Sequence, residues 1–198
     1  MGDRFEYRNV RVDGDSAPII RAFSARIPAD GLTAMVGPSG AGKSTLLRLL
    51  NRLDDPDEGD VLLDGLDVRS YDVLELRRRV QLVGQVPVTF PGTVAENVGP
   101  NVERLLARVG LEAALAGRDA ERLSIGEAQR MCLARSLARS PECLLLDEPT
   151  SALDTIAKAG IEGLIRSLAD EGLTVVMVTH DPRQASDLAD RILDIGLR

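Results

Sequence analysis

The chain has 198 residues, 44% apolar and 28% charged, which is enough for one well-buried domain or one domain with a small lobe, but not for two independent ones. Its formal net charge of −7 argues against a dedicated nucleic-acid binder, which needs clustered Lys and Arg. No apolar run approaches the roughly 20 residues that cross a bilayer, so a membrane role would need a partner that supplies the spans.

The N-terminus is charged from the start and lacks the apolar core of a secretion signal, so the chain is expected to stay in the cytoplasm. Residues 5–12 and 19–27 alternate like two antiparallel strands joined by the polar turn 13–16. Residues 32–36 form the next strand. It runs into Gly37-Pro38-Ser39-Gly40-Ala41-Gly42-Lys43-Ser44, a complete phosphate-binding loop, and a helix follows from Thr45 to about residue 52. The glycines let consecutive backbone N–H groups curl around β- and γ-phosphates. Lys43 adds a cation, Ser44 can ligate Mg²⁺, and the helix start behind them favours anions. The strand–loop–helix context predicts a nucleotide site.

A turn at 54–59 precedes a strand at 60–63. Arg77-Arg78-Arg79, the only basic run, reads as a solvated helix end. A short apolar strand at 80–84 ends at Gln85, which could reach a metal or an attacking water. Between residues 91 and 123 Ala, Leu, Arg and Glu recur at helical spacing, as in Val102, Leu105, Leu106 and Val109, and predict a small helical lobe. The chain then alternates: helix 126–140, strand 143–146, helix 155–171, strand 173–179, helix 182–189 and terminal strand 191–195. Apolar strands separated by amphipathic helices predict an α/β fold with a parallel, doubly covered sheet. Cys132 and Cys143 lie in apolar segments without metal-ligand spacing and read as buried free thiols.

The strand at 143–146 ends in Asp147-Glu148 at the edge where open α/β sheets place their ligands. Asp147 can hold Mg²⁺, and Glu148 can polarise the water that attacks the γ-phosphate. His180, the only histidine, also follows a strand and could reach the γ-phosphate through a ring N–H. Ser124 occupies the N-cap position of the helix that carries Gly126, Glu127, Gln129 and Arg130.

The run from Ser124 to Asp154 resembles the second half of an ATP-binding cassette (ABC) ATPase, with residues 124–127 matching the family's LSGGQ-type segment. With the phosphate loop, Gln85, Asp147-Glu148, Asp154 and His180 in the family's order, the resemblance covers nearly the whole chain. It implies a single ABC-type P-loop NTPase domain over 1–198: a mostly parallel core sheet, an antiparallel β subdomain and a short helical lobe at about 91–123. In that family two ATP sites form between two cassettes, so the resemblance implies a dimer that uses ATP and Mg²⁺. By carry-over, residues 37–45, from Gly37 through Thr45, bind the phosphates, and Ser44, Gln85 and Asp147 hold or sense the metal. Glu148 is the general base, assisted by Gln85 and His180. Ser124, Gly126 and Glu127 clamp the ATP held by the opposite subunit, and Asp154 contacts the neighbouring site.

More narrowly, residues 50–53, 76–80, 85–97 and 123–127 look like the cassettes of plant aluminium-resistance half-transporters and the bacterial iron-export pair, and phosphate-import cassettes share several of these features. Both groups work with separate membrane subunits, which implies an integral-membrane permease as partner and a peripheral place on the inner face of the membrane. Three features depart from the family pattern: Ile125 and Glu127 replace the usual Gly and Gln, the helical lobe is short, and no adenine-stacking aromatic stands in the turn 13–16, although Phe5 and Tyr7 are nearby in sequence. Rival readings are a soluble cassette of DNA repair or translation, which would need a coiled-coil insertion or a second cassette, and an ATP-dependent interaction module with little turnover, against which Glu148 and His180 argue.

Overall fold

A computed structural model describes residues 2–196; Met1 and residues 197–198, the extreme ends of the expected domain, lie outside the described residues. Two sheets organise the chain. Strands β1 (Asp3–Asp13), β2 (Pro18–Pro28), β4 (Glu58–Leu63) and β5 (Leu66–Asp67) form an antiparallel sheet in the order β2-β1-β4-β5. Strands β3 (Leu32–Val36), β6 (Val80–Val83), β7 (Cys143–Asp147), β8 (Thr174–Val178) and β9 (Arg191–Asp194) form a parallel sheet in the order β6-β7-β8-β3-β9. The α/β architecture with an antiparallel subdomain is the one expected, with the two-residue β5 as an addition.

The central strands β3, β7 and β8 are almost continuously apolar because both of their faces are covered. Leu144 and Leu146 of β7 and Val175 and Met177 of β8 pack in one core with Met131 of α5 (Ile125–Leu137) and Ile161 and Ile165 of α6 (Thr155–Asp170). Cys143, Leu145, Val176 and Val178 alternate to the other face and pack with Leu46 and Leu47 of α1 (Lys43–Leu49) and with Phe5, Tyr7 and Phe23 of the antiparallel sheet. Each such leucine, 0% exposed, contributes roughly 1.5–3 kcal/mol. Both cysteines are buried free thiols, and burial pushes each thiol's pKa upward.

The region 91–123 is helical but not one helix. Residues α3 (Val94–Val98) and α4 (Val102–Arg108) are separated by Gly99, at φ +92°, and Pro100, which no helix interior accommodates well, and two 3₁₀ turns follow. A capping box between Thr93 and Glu96 starts α3, so Glu96 is a structural side chain rather than a spare surface charge. Val94, Val98, Leu106 and Val109 bury this lobe against the core that α5 shares.

The arginine run does end a helix, α2 (Val73–Arg79), but it is not simply solvated. Arg77 donates to the carbonyls of Asn51 and Arg52 just past α1, at 3.2 and 2.5 Å, and Arg79 pairs with Glu142 and Asp64 while stacking over Tyr71. The basic side chains tie three segments of the fold together.

Phe5 and Tyr7 are each 1% exposed. The Tyr7 hydroxyl donates to Leu46 O at 2.8 Å and its ring meets Phe23 edge-on at 5.2 Å, so neither aromatic is available to a bound base. Tyr7→Phe is expected to destabilise the protein by about 1–2 kcal/mol through one lost buried hydrogen bond, with nucleotide affinity unchanged within about twofold, a free-energy change below about 0.5 kcal/mol; urea unfolding and calorimetry measure the two.

Candidate functional site

The loop 37–42 leaves β3 and enters α1 through Gly42, whose φ is +84° and where a Cβ would lie 2.4 Å from Ile20 Cδ1. Only glycine meets both constraints, so the loop's tight path is set by sequence. Lys43, 6% exposed, turns back over the loop and donates from Nζ to the carbonyls of Gly37 and Pro38, both at 2.8 Å, which fixes its ammonium beside the loop backbone. One residue on, Ser44 Oγ donates to Asp147 Oδ1 at 2.9 Å and links the loop to the end of β7.

Burial pushes the Asp147 carboxyl's pKa upward, the neighbouring Glu148 charge adds to the rise, and the Ser44 hydrogen bond opposes it. A cation beside this carboxyl would offset the desolvation. Among the described residues no group of three or more His, Cys, Asp or Glu could hold a metal with protein ligands alone. A hydroxyl and a carboxylate at 2.9 Å instead suit Mg²⁺, a hard ion that takes few protein oxygens and fills its shell with phosphate and water.

Glu148 stands at φ +46°, a left-handed conformation that costs a non-glycine residue on the order of 1–3 kcal/mol. The surrounding turn enforces it: Glu148 N donates to Val178 O at 3.0 Å, and Ser151 N and Oγ both donate to Glu148 O, at 3.2 and 3.1 Å. The carboxylate reaches the residues that follow two neighbouring strands. Its Oε2 lies 2.9 Å from His180 Nδ1 and accepts from Gln85 Nε2 at 3.4 Å. A carboxylate oxygen only accepts, so that contact assigns the proton to Nδ1 and leaves Nε2 for another partner.

Ser39, Gly40, Gly42, Lys43, Ser44, Thr45, Gln85, Glu148 and His180 line one cavity of about 710 Å³, within the range of nucleotide-sized sites. Gly37, Pro38 and Ala41 complete the loop without lining it, and Asp147 reaches it through Ser44. Ile19 and Arg48 also line the cavity and were not singled out in the sequence. Arg48 is one helical turn beyond Ser44, a spacing that could have flagged it; Ile19 carries no such local signal. Ser151, which binds the Glu148 carbonyl and accepts from Gln85 at 3.4 Å, is a third unforeseen participant.

The serine segment lies elsewhere. Ser124, Gly126, Glu127 and Asp154 line a second cavity of about 440 Å³ that shares no lining residue with the first. Ser124 and Glu127 form a capping box in which Ser124 Oγ accepts from Glu127 N at 3.3 Å and Glu127 Oε2 accepts from Ser124 N at 2.8 Å. The bond uses one lone pair of the hydroxyl, whose proton can be given to the Glu127 carboxylate or outward. The Glu127 carboxylate is turned onto its own helix start and Arg118, and those backbone and side-chain bonds hold its pKa low. Asp154 caps α6 by accepting from Ile156 N and Ala157 N.

The family model described as ABC transporter matches residues 20–151. The chain is 47% identical over 193 residues to ABC transporter I family member 17 of Arabidopsis thaliana, covering 91% of this chain and 73% of that protein. It is 46% identical over 195 residues to Protein STAR1 of Oryza sativa subsp. japonica, covering 92% of this chain but only 56% of the rice protein. It is 44% identical over 197 residues to the phosphate import ATP-binding protein PstB 2 of Mycobacterium tuberculosis, covering 87% and 71%. A dimeric ATP-binding cassette solved in a post-hydrolysis state with ADP and Pi superposes with a TM-score of 0.84 at 30% identity, over 96% of this chain and 93% of that one.

No aromatic side chain lines the 710 Å³ cavity; aliphatic Ile19, 44% exposed beside Gly42, flanks the loop instead. Stacking on an aromatic ring contributes on the order of 1–3 kcal/mol per base. MgATP and MgGTP are therefore expected to bind within ~10-fold of each other, a gap of about 1.4 kcal/mol, as read by calorimetry. A much larger preference for ATP would show that another group reads the base.

Proposed function

The chain belongs to the ABC transporter family, and on that premise we propose that it is the Mg²⁺-dependent, ATP-hydrolysing subunit of a transporter whose membrane spans reside in a separate permease. The observation that carries the reading is the meeting of Glu148, His180 and Gln85 across one cavity from the phosphate loop. Lys43 and the loop N–H groups bind the β- and γ-phosphates. Ser44 and Asp147, with Gln85, hold Mg²⁺, which when bound polarises the γ-phosphate and neutralises charge on the phosphate oxygens.

Glu148 takes the proton from the attacking water as its oxygen closes on the γ-phosphorus and the bond to the β–γ bridging oxygen breaks, leaving ADP and phosphate. His180 bridges the Glu148 carboxylate and the γ-phosphate by donating from both ring nitrogens, Nδ1–H to Oε2 and Nε2–H to the phosphate. The separation of the two cavities supports a site completed across a dimer, with Ser124 and the Gly126 backbone of one subunit donating to the nucleotide on the other and Asp154 at the junction. No helix among the described residues is long and apolar enough to cross a membrane. The lobe 91–123 and the segment after Gln85, where Val86, Val88 and Phe90 are 74%, 56% and 55% exposed, form the permease-docking surface in this reading.

For the cargo, the resemblance to aluminium-resistance and iron-export cassettes is the ground for export of a metal or organic anion, and similarity to the phosphate import ATP-binding protein PstB 2 supports import of phosphate. A single permease encoded alongside would favour the first, and two permeases with an external binding protein the second.

Glu148→Gln should keep MgATP affinity, lower turnover by ~10²-fold or more, and shift the chain to dimer on size exclusion with ATP. Hydrolysis at the parental rate would remove Glu148 from the role. Arg104, exposed on α4 and free of any cap, is the better probe of docking than Glu96: Arg104→Glu should uncouple transport while leaving basal phosphate release within about twofold, that is within about 0.4 kcal/mol.

A further inference from the structure

Gln184, on α7 (Pro182–Leu188), is 6% exposed and makes three side-chain hydrogen bonds, none to its own helix. Its Oε1 accepts from Thr179 Oγ1 at 2.6 Å, and its Nε2 donates to Thr150 Oγ1 at 2.7 Å and to Glu162 Oε1 at 2.6 Å. Thr179 immediately precedes His180, and Thr150 lies two residues after Glu148. Both threonines are themselves buried, at 3% and 6% exposure. One amide thus grips the backbone segments that carry the two ends of the 2.9 Å His180–Glu148 contact, with Glu162 of α6 as its anchor.

We propose that Gln184 is a positioning residue for the hydrolytic site, setting the distance between Glu148 and His180 without touching nucleotide; this rests on the hydrolytic reading above. Thr179 Oγ1 also accepts from Asp181 N at 3.1 Å, so the grip fixes the backbone on both sides of the histidine. Thr150 O accepts from Leu153 N at 3.2 Å, so the same amide reaches the turn that leads to Asp154. A buried amide has both a donor and an acceptor to offer, and each is taken by a different loop. The side chains of Glu148, Lys158, His180 and Asp181 face Gln184 around a cavity of about 180 Å³, and Lys158 balances the carboxylates by pairing with Asp181 at 3.2 Å and Glu162 at 3.7 Å.

Gln184→Leu removes the bonds at similar volume. Gln184→Glu sets a second carboxylate against Glu162, and Glu162→Gln combined with Gln184→Glu restores an amide–carboxylate pair with the roles exchanged, which both threonine hydroxyls can satisfy by donating. The parental chain and the variants are compared in steady-state phosphate release and, because the chain has one histidine, in the ¹⁵N signals of that ring. Gln184→Leu and Gln184→Glu should each lower kcat at least tenfold with KM for MgATP within twofold, and should move the ring signals toward those of a free imidazole. The double variant should recover both. Parental kcat and ring signals in Gln184→Glu, or no recovery in the double variant, would overturn the proposal, and this pair decides the matter if Gln184→Leu does not fold. Should the parental chain itself release no phosphate, the hydrolytic reading fails by that result alone, and the ring signals still decide whether Gln184 sets the His180–Glu148 contact.

Discussion

The parallel register of three central strands is the constraint on which the site depends. Met35 of β3 and Asp147 of β7 both align with Val178 of β8, so the phosphate loop, Glu148 and the segment before His180 all emerge within a residue or two of one sheet edge. Two backbone bonds extend that alignment past the strands: Glu148 N to Val178 O and Thr179 N to Met35 O, at 3.0 and 3.2 Å. A slip of one residue would exchange the two faces of a strand and put its partners in the wrong core. The geometry of the candidate site and hydrophobic registration are therefore the same requirement, enforced by side chains such as Leu144 and Leu145 that pack in opposite cores.

Order at the sheet edge still has to overcome local cost. Glu148 takes a left-handed conformation, and Asp147 is a carboxyl whose burial opposes its charged form. Both are sustained by hydrogen bonds from their neighbours: the Ser151 bonds to the Glu148 carbonyl, the Ser44 bond to Asp147 and the Gln184 bonds beneath the two loops. Several buried or part-buried hydrogen bonds of about 1 kcal/mol each are of the right size to hold a strained residue of on the order of 1–3 kcal/mol. The strain is thus local, and the fold around it is conventional α/β packing.

What was legible in the sequence divides along the range of the interactions involved. The phosphate loop, the acidic strand end and the capped helix at Ser124 are local patterns whose geometry follows from a few consecutive residues, and the parallel sheet follows from runs too apolar to have a solvent face. What could not be read are relations between distant segments. Tyr7 sits near the turn where a stacking aromatic would be sought, yet its hydroxyl is committed to Leu46. The arginine run resembles a solvated helix end, but Arg77 finds two carbonyls that α1 leaves open. Gln184 is an unremarkable polar residue one turn into a short helix until β8, α6 and the turn after β7 close around it.

The separation of the two cavities gives the fold a further logic. Within one chain Ser124 is fixed by its capping box, but the cavity it lines holds neither the phosphate loop nor Glu148. The substitution of Glu for the usual Gln at 127 places negative charge at a segment read as a clamp for phosphate, which would be repulsive if the carboxylate faced the ligand. Two hydrogen bonds to Ser124 and the Arg118 guanidinium at 3.5 Å turn it inward and balance its charge. The departure from the family pattern therefore stiffens the helix start and leaves its charge paired, so the composite site proposed across two chains stays electrostatically open to ATP.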